Sequence, residues 1–597
     1  MKISKIYSNQ AEKFEPIFFS DGLNVILGEI RLPENRKKDT HNIGKTTIGR
    51  LINFCLLSKK SNEFFLFKHP EHFKNFIFFI EVQLSDGSYV TIRRSVEKSS
   101  KINLKKHQGR NQDFTFIYES DWTYTDLPFE KAKEILDGYL NLLSIKPWDF
   151  RMELGYLLRS QDDYHDIFIL GNFKGSHSKW KPFLAHIFGL ETSCIKQYYA
   201  KEDELTNLET SLKVIKNEFN FSLQDGGKIE SILLLKQEEL QKKQLFLDSF
   251  DFGSEDEVKT SKLVDHIDEK ISELNKKRYS LSLNLKKIIT SLEEEQISFS
   301  PNKAESLFKE VGIFFQGQIK KNYEQLIKFN QEITKERREY LIQEKIETEN
   351  IIEKINKELS DLGKKRSEIL SFLSDTDSFI KYKKFSNELL YLKTDIGLLE
   401  HKREQFRRIQ ETQAKIRTIN EQKSTLQAKI ESDLMRKNSD KNSLLSKIRL
   451  YFNEIVEEVI DRKAILNISL NKENHLDFKA EILDENGGIT SAIDGHTYKK
   501  LLCIAFDLAI LRAYVKEKFP KFVFHDGVFE SLDDRKKLNL MKVIRHYSDM
   551  GIQQIITLID SDLTDKDMNE SLILDDEIVL RLHDEGENGR LFKMQGW

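Results

Sequence analysis

The chain has 597 residues, with 94 Lys and Arg against 97 Asp and Glu, so the formal net charge is only −3. That balance excludes a uniformly basic nucleic-acid coat and an acidic tail protein. No apolar run reaches the ~18 to 20 residues that cross a bilayer, MKISKIYSNQ holds no apolar signal core, and Cys55, Cys194 and Cys503 stand alone; the expectation is a cytoplasmic protein without a membrane partner, disulfide framework or CxxC metal clip.

In chain order, KISKIYS reads as a strand, GLNVILGE as an apolar strand ending at Gly28, and NIGKTTIGRLINFCLL as an amphipathic helix starting at Gly44-Lys45-Thr46-Thr47. A strand, a glycine loop and GK[ST] opening a helix are the parts of a phosphate-binding loop. Its backbone N–H groups wrap phosphates, Lys45 reaches the terminal ones, and the Thr46 hydroxyl ligates Mg²⁺. The spacing departs from G-x-x-x-x-G-K-[ST]: the first glycine would fall on Asp39, whereas Gly28 lies 16 residues before Gly44. Either 15 residues (29–43) replace the usual four, or the match is accidental. The extra segment EIRLPENRKKDTH carries Arg36, Lys37 and Lys38, which suits a cover over the nucleotide, a partner contact or a plain solvated loop. YVTIRRSV reads as a further strand. YLLRSQDDYHDIF places Gln161 after an apolar run, where an amide binds Mg²⁺ or orients water, or is simply a surface amide.

The eight prolines stand at 16, 33, 70, 128, 147, 182, 301 and 520, so Pro301 alone falls within the 337 residues from 183 to 519. Proline removes a backbone donor and clashes inside a helix, and its scarcity there predicts long helices. Val264, Ile267, Ile271, Leu274, Arg278, Leu281, Leu285, Ile288 and Leu292 alternate steps of three and four, and so do Ile352, Ile355, Leu359, Leu362, Arg366, Ile369 and Leu373. Each is a narrow seam suited to a partner helix. The economical arrangement is an outgoing arm (193–298), a turn around Pro301 (299–320) and a returning arm (321–445), interrupted near 225–228, 251–257 and 374–378. Separate helices folding into a bundle are the other arrangement. An antiparallel arm returns the C-terminal lobe (446–597) to the N-terminal lobe (1–192), so the two build one domain.

YKKLLCIAFDLAILRAYVKEK reads as a helix, and FVFHDGVFESLDDR as a buried strand ending in Asp526, placed to hold Mg²⁺ as a Walker B aspartate does. GIQQIITLIDSDL reads as another buried strand.

The order of these parts resembles the ABC-type ATPase heads of SMC (structural maintenance of chromosomes) proteins and their relatives SbcC, RecN and RecF. That resemblance implies an α/β P-loop head assembled from N- and C-terminal lobes and joined by a long antiparallel coiled coil. NxxGKTT, with Asn42, would be Walker A; LRSQDDYHDIF would be the Q-loop, with Gln161 on Mg²⁺. SAIDGHTYKKLLCIAFDLAIL would be the signature segment, with Ser491 and Gly495 acting in trans, and FHDGVFESLD would run from Asp526 to a D-loop at Asp533. The inserted loop ending in KDTHNIGKTT resembles a bacterial subgroup often found in phage-defence or toxin-like gene clusters.

Three departures bear on chemistry. The glutamate that follows the Walker B aspartate in that family is Gly527 here, with Glu530 as the nearest substitute and His525 as an alternative base or a structural histidine. Ser491 and Gly495 are separated where the family has Ser-Gly-Gly, and the switch histidine is absent, with Asp560 or Asp562 in its place. A general base commonly contributes 10² to 10⁴ in rate, so slow or partner-dependent hydrolysis is expected. Two readings follow: a homodimeric clamp closing on ATP and Mg²⁺ that holds DNA or a DNA-processing effector in defence or repair, and a nucleotide-gated scaffold with little turnover that restrains an effector such as a nuclease. A purely structural coiled coil explains neither GKTT nor Asp526. No CxxC lies near Pro301, so a zinc hook between arm tips is not expected, and Phe314 and Phe315 are left for a tip contact or a small turn core.

Overall fold

The computed structural model describes residues 1–32, 34, 43–171, 177–219, 225–248, 255–294, 317–371, 377–485, 487–488, 496–530, 532–560, 563 and 572–596. The chain divides into two units, Met1–Asp203 with Glu421–Trp597, and Glu204–Asn420.

The first unit holds an antiparallel sheet of order β2-β1-β4-β5-β6-β7: β1 (Lys2–Ser8), β2 (Ile17–Phe18), β4 (Ile77–Gln83), β5 (Tyr89–Ser95), β6 (Lys101–His107) and β7 (Tyr124–Pro128). A second sheet takes β3 (Leu23–Glu29) and β8 (Leu158–Arg159) from the N-terminal end, and β11 (Phe522–His525), β12 (Gln553–Ile559) and β13 (Ile578–His583) from the C-terminal end. Its order is β13-β3-β12-β11-β8 and every pairing is parallel. β3, β11 and β12 are buried almost residue for residue, as strands covered on both faces must be. Register sets Gly28 beside Ile559 and His525 beside Arg159, so the strands end along one edge, where open parallel sheets place ligands. The hairpin of β9 (Ala464–Leu470) and β10 (Leu476–Ile482) alternates buried and exposed positions, the pattern of a one-sided sheet.

The helices of this unit are α1 (Lys45–Cys55), the one-turn α2 (Phe65–Lys68) and α3 (Pro70–Phe73), α4 (Phe129–Leu140), α5 (Phe150–Leu157) and α6 (His177–Ile187). Helix α7 (Thr192–Phe219) crosses the unit boundary, and α8 (Asp225–Asp248), α9 (Glu255–Glu294) and α10 (Gly317–Ser371) lie within the second unit. Helix α11 (Asp377–Ser439) leads back, followed by α12 (Leu444–Ile460), α13 (His496–Ala513) and α14 (Asp534–Asp549). Among the described residues no helix is long and apolar enough to cross a membrane.

In the second unit the two heptad seams meet. Arg366 binds Asp268 (Nε to Oδ1, 2.5 Å) and Arg278 donates to Asn356 (3.2 Å), so α9 and α10 run antiparallel. Lys236 pairs with Asp395 and Lys243 with Glu388, both at 2.7 Å, so α8 and α11 are antiparallel too. Ser386 also donates to Asp268 (3.1 Å), and the Tyr279 ring stands 6.4 Å from His401; along this stretch α9 and α11 share a direction. Helices α8 and α9 therefore oppose each other, as do α10 and α11. Val264, Leu370 and Tyr382, with Leu247 against them, form a small core where one end of all four meets. This corrects the assignment of 193–298 to one outgoing direction and of 321–445 to one returning direction. A heptad seam demands a partner but does not specify which, and the polar breaks around 251–257 and 374–378 separate helices of opposite direction. The turn expected at 299–320 lies outside the described residues, apart from Gly317–Lys320, which open α10.

Candidate functional site

The site is built at the shared edge of the parallel sheet. Gly28 sits close against Ile43 and the Lys45 side chain, whose Cδ would stand 3.0 Å from a Cβ at 28, so a side chain there would push both aside. The extra residues after β3 thus leave and return to one place, and the glycine and the GKTT turn adjoin despite their separation in sequence. Thr46 and Thr47 are half-buried in the first turn of α1, which carries no acidic residue, an arrangement open to an anion. One turn on, Gly49 lies directly against the Phe524 ring of β11, which fixes the start of α1 near the end of that strand. Asn42 lies outside the described residues.

Asp526 follows β11 and is 1% exposed. Its Oδ1 accepts from the Thr557 hydroxyl (2.5 Å), its N–H donates to the Tyr164 hydroxyl (3.1 Å), and its buried Oδ2 has no partner. A buried carboxylate oxygen without a partner is costly, and a cation or bound water is what it lacks. The oxygens of Thr46, Asp526 and Gln161 are the hard donors Mg²⁺ prefers. Among the described residues no cluster of three His, Cys, Asp or Glu could hold a metal by itself, so a cation here would also need phosphate and water oxygens.

Gly527 turns the chain with φ +63°, a conformation that burdens other residues, and its N–H donates to Thr557 Oγ1 (2.8 Å). The space that a side chain at 527 would enter is filled by the carboxylate of Glu530, with Oε2 3.0 Å from the Cβ position. Gln161, just past β8, donates from Nε2 to Glu530 Oε1 at 2.8 Å. Lys500, 2% exposed on α13, donates to Glu530 Oε2 (2.7 Å) and to the Gly527 carbonyl (2.6 Å). The structure thus brings together Gln161, Asp526 and Glu530, with α1 packed against the same strand.

His525 is elsewhere. It is fully buried and donates from Nε2 to Asp507 Oδ2 (3.2 Å); Asp507 in turn takes both prongs of the Arg159 guanidinium at 2.7 and 3.1 Å. Asp526 turns to Thr557 on β12, whereas His525 turns to Asp507 on α13. The base role for His525 is corrected to a structural one. Burial works against the Arg159 charge more than any single neighbour supports it, but the Asp507 charge and hydrogen bonds, with Cys503 and Tyr156 adding, together outweigh it and hold the guanidinium firmly protonated.

Asp533 caps α14: its Oδ1 accepts from Lys536 N (3.0 Å) and its Oδ2 pairs with Lys536 Nζ (2.7 Å). Those two bonds hold its carboxyl below the usual range. Asp560 accepts from Ile30 N (2.9 Å), tying the end of β12 to the start of the inserted loop. Ser491, Gly495 and Asp562, like Arg36, Lys37 and Lys38, lie outside the described residues.

Four contributors carry no signal in the sequence. Lys500 is one of two adjacent lysines just before the apolar run of α13, and Thr557 and Tyr164 are unexceptional polar residues of a strand and a turn. Leu591 donates its N–H to Ile43 O (3.0 Å) and packs on Gly44; with Thr47, Arg590 and Phe592 it lines a cavity of about 320 Å³ beside the loop.

A family model described as "Uncharacterised protein conserved in bacteria (DUF2326)" matches residues 455–596. The uncharacterized protein YydD of Bacillus subtilis (strain 168) is 21% identical over 563 residues, 88% of this chain and 87% of the relative. Among solved structures, the Smc head domain of Pyrococcus yayanosii with a coiled coil and joint is 16% identical, covering 94% of this chain and 92% of that one with a TM-score of 0.35. The Smc head domain of Pyrococcus furiosus, with an extended coiled coil and bound to the C-terminal domain of ScpA, is 14% identical, covering 94% and 91%, with a TM-score of 0.31.

Proposed function

We propose that this chain is an SMC-like ATP-binding protein whose heads pair around ATP and Mg²⁺. The observation that carries the reading is the buried, unpartnered Oδ2 of Asp526 at the sheet edge that also bears the Gly28/Gly44–Lys45 turn. The helix start, Lys45 and the backbone of 44–47 bind phosphates; Thr46, Gln161 and Asp526 hold the cation, which neutralises phosphate charge when bound. Glu530 takes the role that Gly527 cannot. It orients a water whose oxygen bonds to the γ-phosphorus as the bond to the β,γ-bridging oxygen breaks. The electron pair leaves with ADP, and the water proton passes to the Glu530 carboxylate and on to the phosphate released.

Homodimer closure, with Asp533 and the Ser491–Gly495 segment reaching across, is part of this proposal, and so are DNA as the clamped ligand and an effector protein in defence or repair. The test is titration of ATP with Mg²⁺ into the whole protein. The expected result is binding that Lys45→Ala abolishes and Asp526→Asn weakens in the presence of Mg²⁺ more than in its absence. Unchanged binding in both variants excludes this site. The nucleotide-gated scaffold reading draws on one observation, that both oxygens of Glu530 are already engaged; it prevails if ATP binds and Glu530→Gln leaves turnover unchanged.

A further inference from the structure

Lys500 is a cation where the chain has least reason to place one. The residues that follow it on α13, from Leu501 to Leu511, are buried and almost all apolar, and Lys500 itself is nearly as covered as they are. A buried ammonium is costly unless charge and hydrogen bonds compensate. Here it spends one proton on the Gly527 carbonyl and another on Glu530 Oε2, and stands 5.0 Å from the centre of the Tyr164 ring, the same tyrosine whose hydroxyl accepts from Asp526 N–H. The remaining oxygen of Glu530 is held by Gln161. The carboxylate is therefore gripped from both sides, by α13 and by the end of β8, directly over the glycine that lacks a side chain. The ammonium is shut away while the Glu530 side chain keeps 33% of its surface open, so the pair presents its carboxylate rather than its cation to the sheet edge.

We propose that Lys500 is the positioning residue for Glu530: it anchors the turn through Gly527 O and aims the carboxylate that replaces the missing glutamate at 527, with Gln161 as the second anchor. This rests on the ATPase reading above. A lysine that merely stabilises the turn would alter folding and leave turnover per folded molecule unchanged. A positioning lysine alters kcat through Glu530 alone.

The experiment is a double-mutant cycle on the whole protein, measuring ATP affinity, kcat and KM for wild type, Lys500→Met, Lys500→Arg, Glu530→Gln and Lys500→Met/Glu530→Gln, with thermal melts to count folded protein. The expected result is a kcat loss of about 10- to 100-fold in Lys500→Met with KM changed little, since a misplacement of about 1 Å at a reacting group costs on that order. Partial recovery is expected in Lys500→Arg, along with no further loss when Lys500→Met is added to Glu530→Gln. Should Lys500→Met not fold, Lys500→Arg with and without Glu530→Gln closes the same cycle. Multiplying losses in the double variant, or wild-type kcat in folded Lys500→Met, overturns the proposal and leaves nucleotide binding standing. A wild-type chain that binds ATP and never turns it over also overturns it, whereas one that binds no ATP overturns the function reading itself.

Discussion

Two ion pairs in the first unit contrast the interior of the parallel sheet with its open edge. Arg159 and Asp507 are both fully buried, and the guanidinium also donates to the carbonyls of Asp163, Asp166 and Ile167. The guanidinium and the carboxylate spend their bonds on each other, on these carbonyls and on His525, so the pair locks β8 and the following turn to α13 and points no group at the sheet edge. The Lys500–Glu530 pair uses the same helix but is lopsided, with a covered cation and a reachable anion. A buried pair with every bond internal is scaffolding, whereas one that leaves an acceptor at the edge is what the proposed chemistry requires. Asp526, with one oxygen bound and one bare, belongs with the second kind.

The contrast breaks first at Glu530. Glu530→Gln should lower turnover by about 10² to 10⁴ while ATP affinity and melting temperature stay close to wild type, measured by phosphate release and calorimetry; a loss of fold instead would move this pair into the scaffold class. Arg159→Met should do the reverse. It leaves the Asp507 carboxylate with His525 as its remaining partner and strips three carbonyls of their donor, and a broken buried pair costs about 3–5 kcal/mol, read as a lowered denaturant midpoint. A smaller effect is expected at Asp533, where Asp533→Ala removes the cap of α14 at about 1 kcal/mol. Asp533→Asn keeps an N-cap side chain, so weakened ATP-dependent dimerisation in that variant with stability retained would isolate a role across the dimer.

The smallest effect sharpens the interior side. Glu153, on α5, is pushed well above the usual carboxylate range by burial and then by the Asp507 charge, with Arg159 partly offsetting both. The folded chain keeps a proton that the unfolded chain releases above pH 4.5, so this stabilisation is complete below that pH and fades as pH rises toward the folded value. Glu153→Gln cannot ionise; its melting temperature relative to wild type should climb from pH 4 to 8, and a difference independent of pH would show that Glu153 is not titrating as described.

Much of this was legible in the residues themselves. Apolar runs before Gly28 and Asp526 announce strands buried on both faces, and GKTT announces a helix start whose first turn carries no acidic residue. The sheet joining β3 and β8 to β11, β12 and β13 follows from helices that return the chain. What no local pattern carries is the grip on Glu530, since it joins residues 30 and 369 positions apart through a left-handed turn at Gly527. His525 misleads because its partner, Asp507, lies 18 positions back on α13, and no pattern around the strand end announces that contact. In the second unit the seams mark inward faces correctly, with Val264, Ile267, Ile271 and Ile355 buried. The buried bond of Arg366 to Asp268, Ser386 and Asn387 shows α10 meeting two helices at once, which a two-stranded seam does not foretell.

The central claim is that this edge binds ATP and uses it to pair two heads. Light-scattering mass measured with and without ATP and Mg²⁺, on wild type, Lys45→Ala and Glu530→Gln, tests it most directly. The account predicts an ATP-dependent dimer in wild type, a longer-lived one in Glu530→Gln and none in Lys45→Ala. A mass that ignores ATP in all three would contradict it.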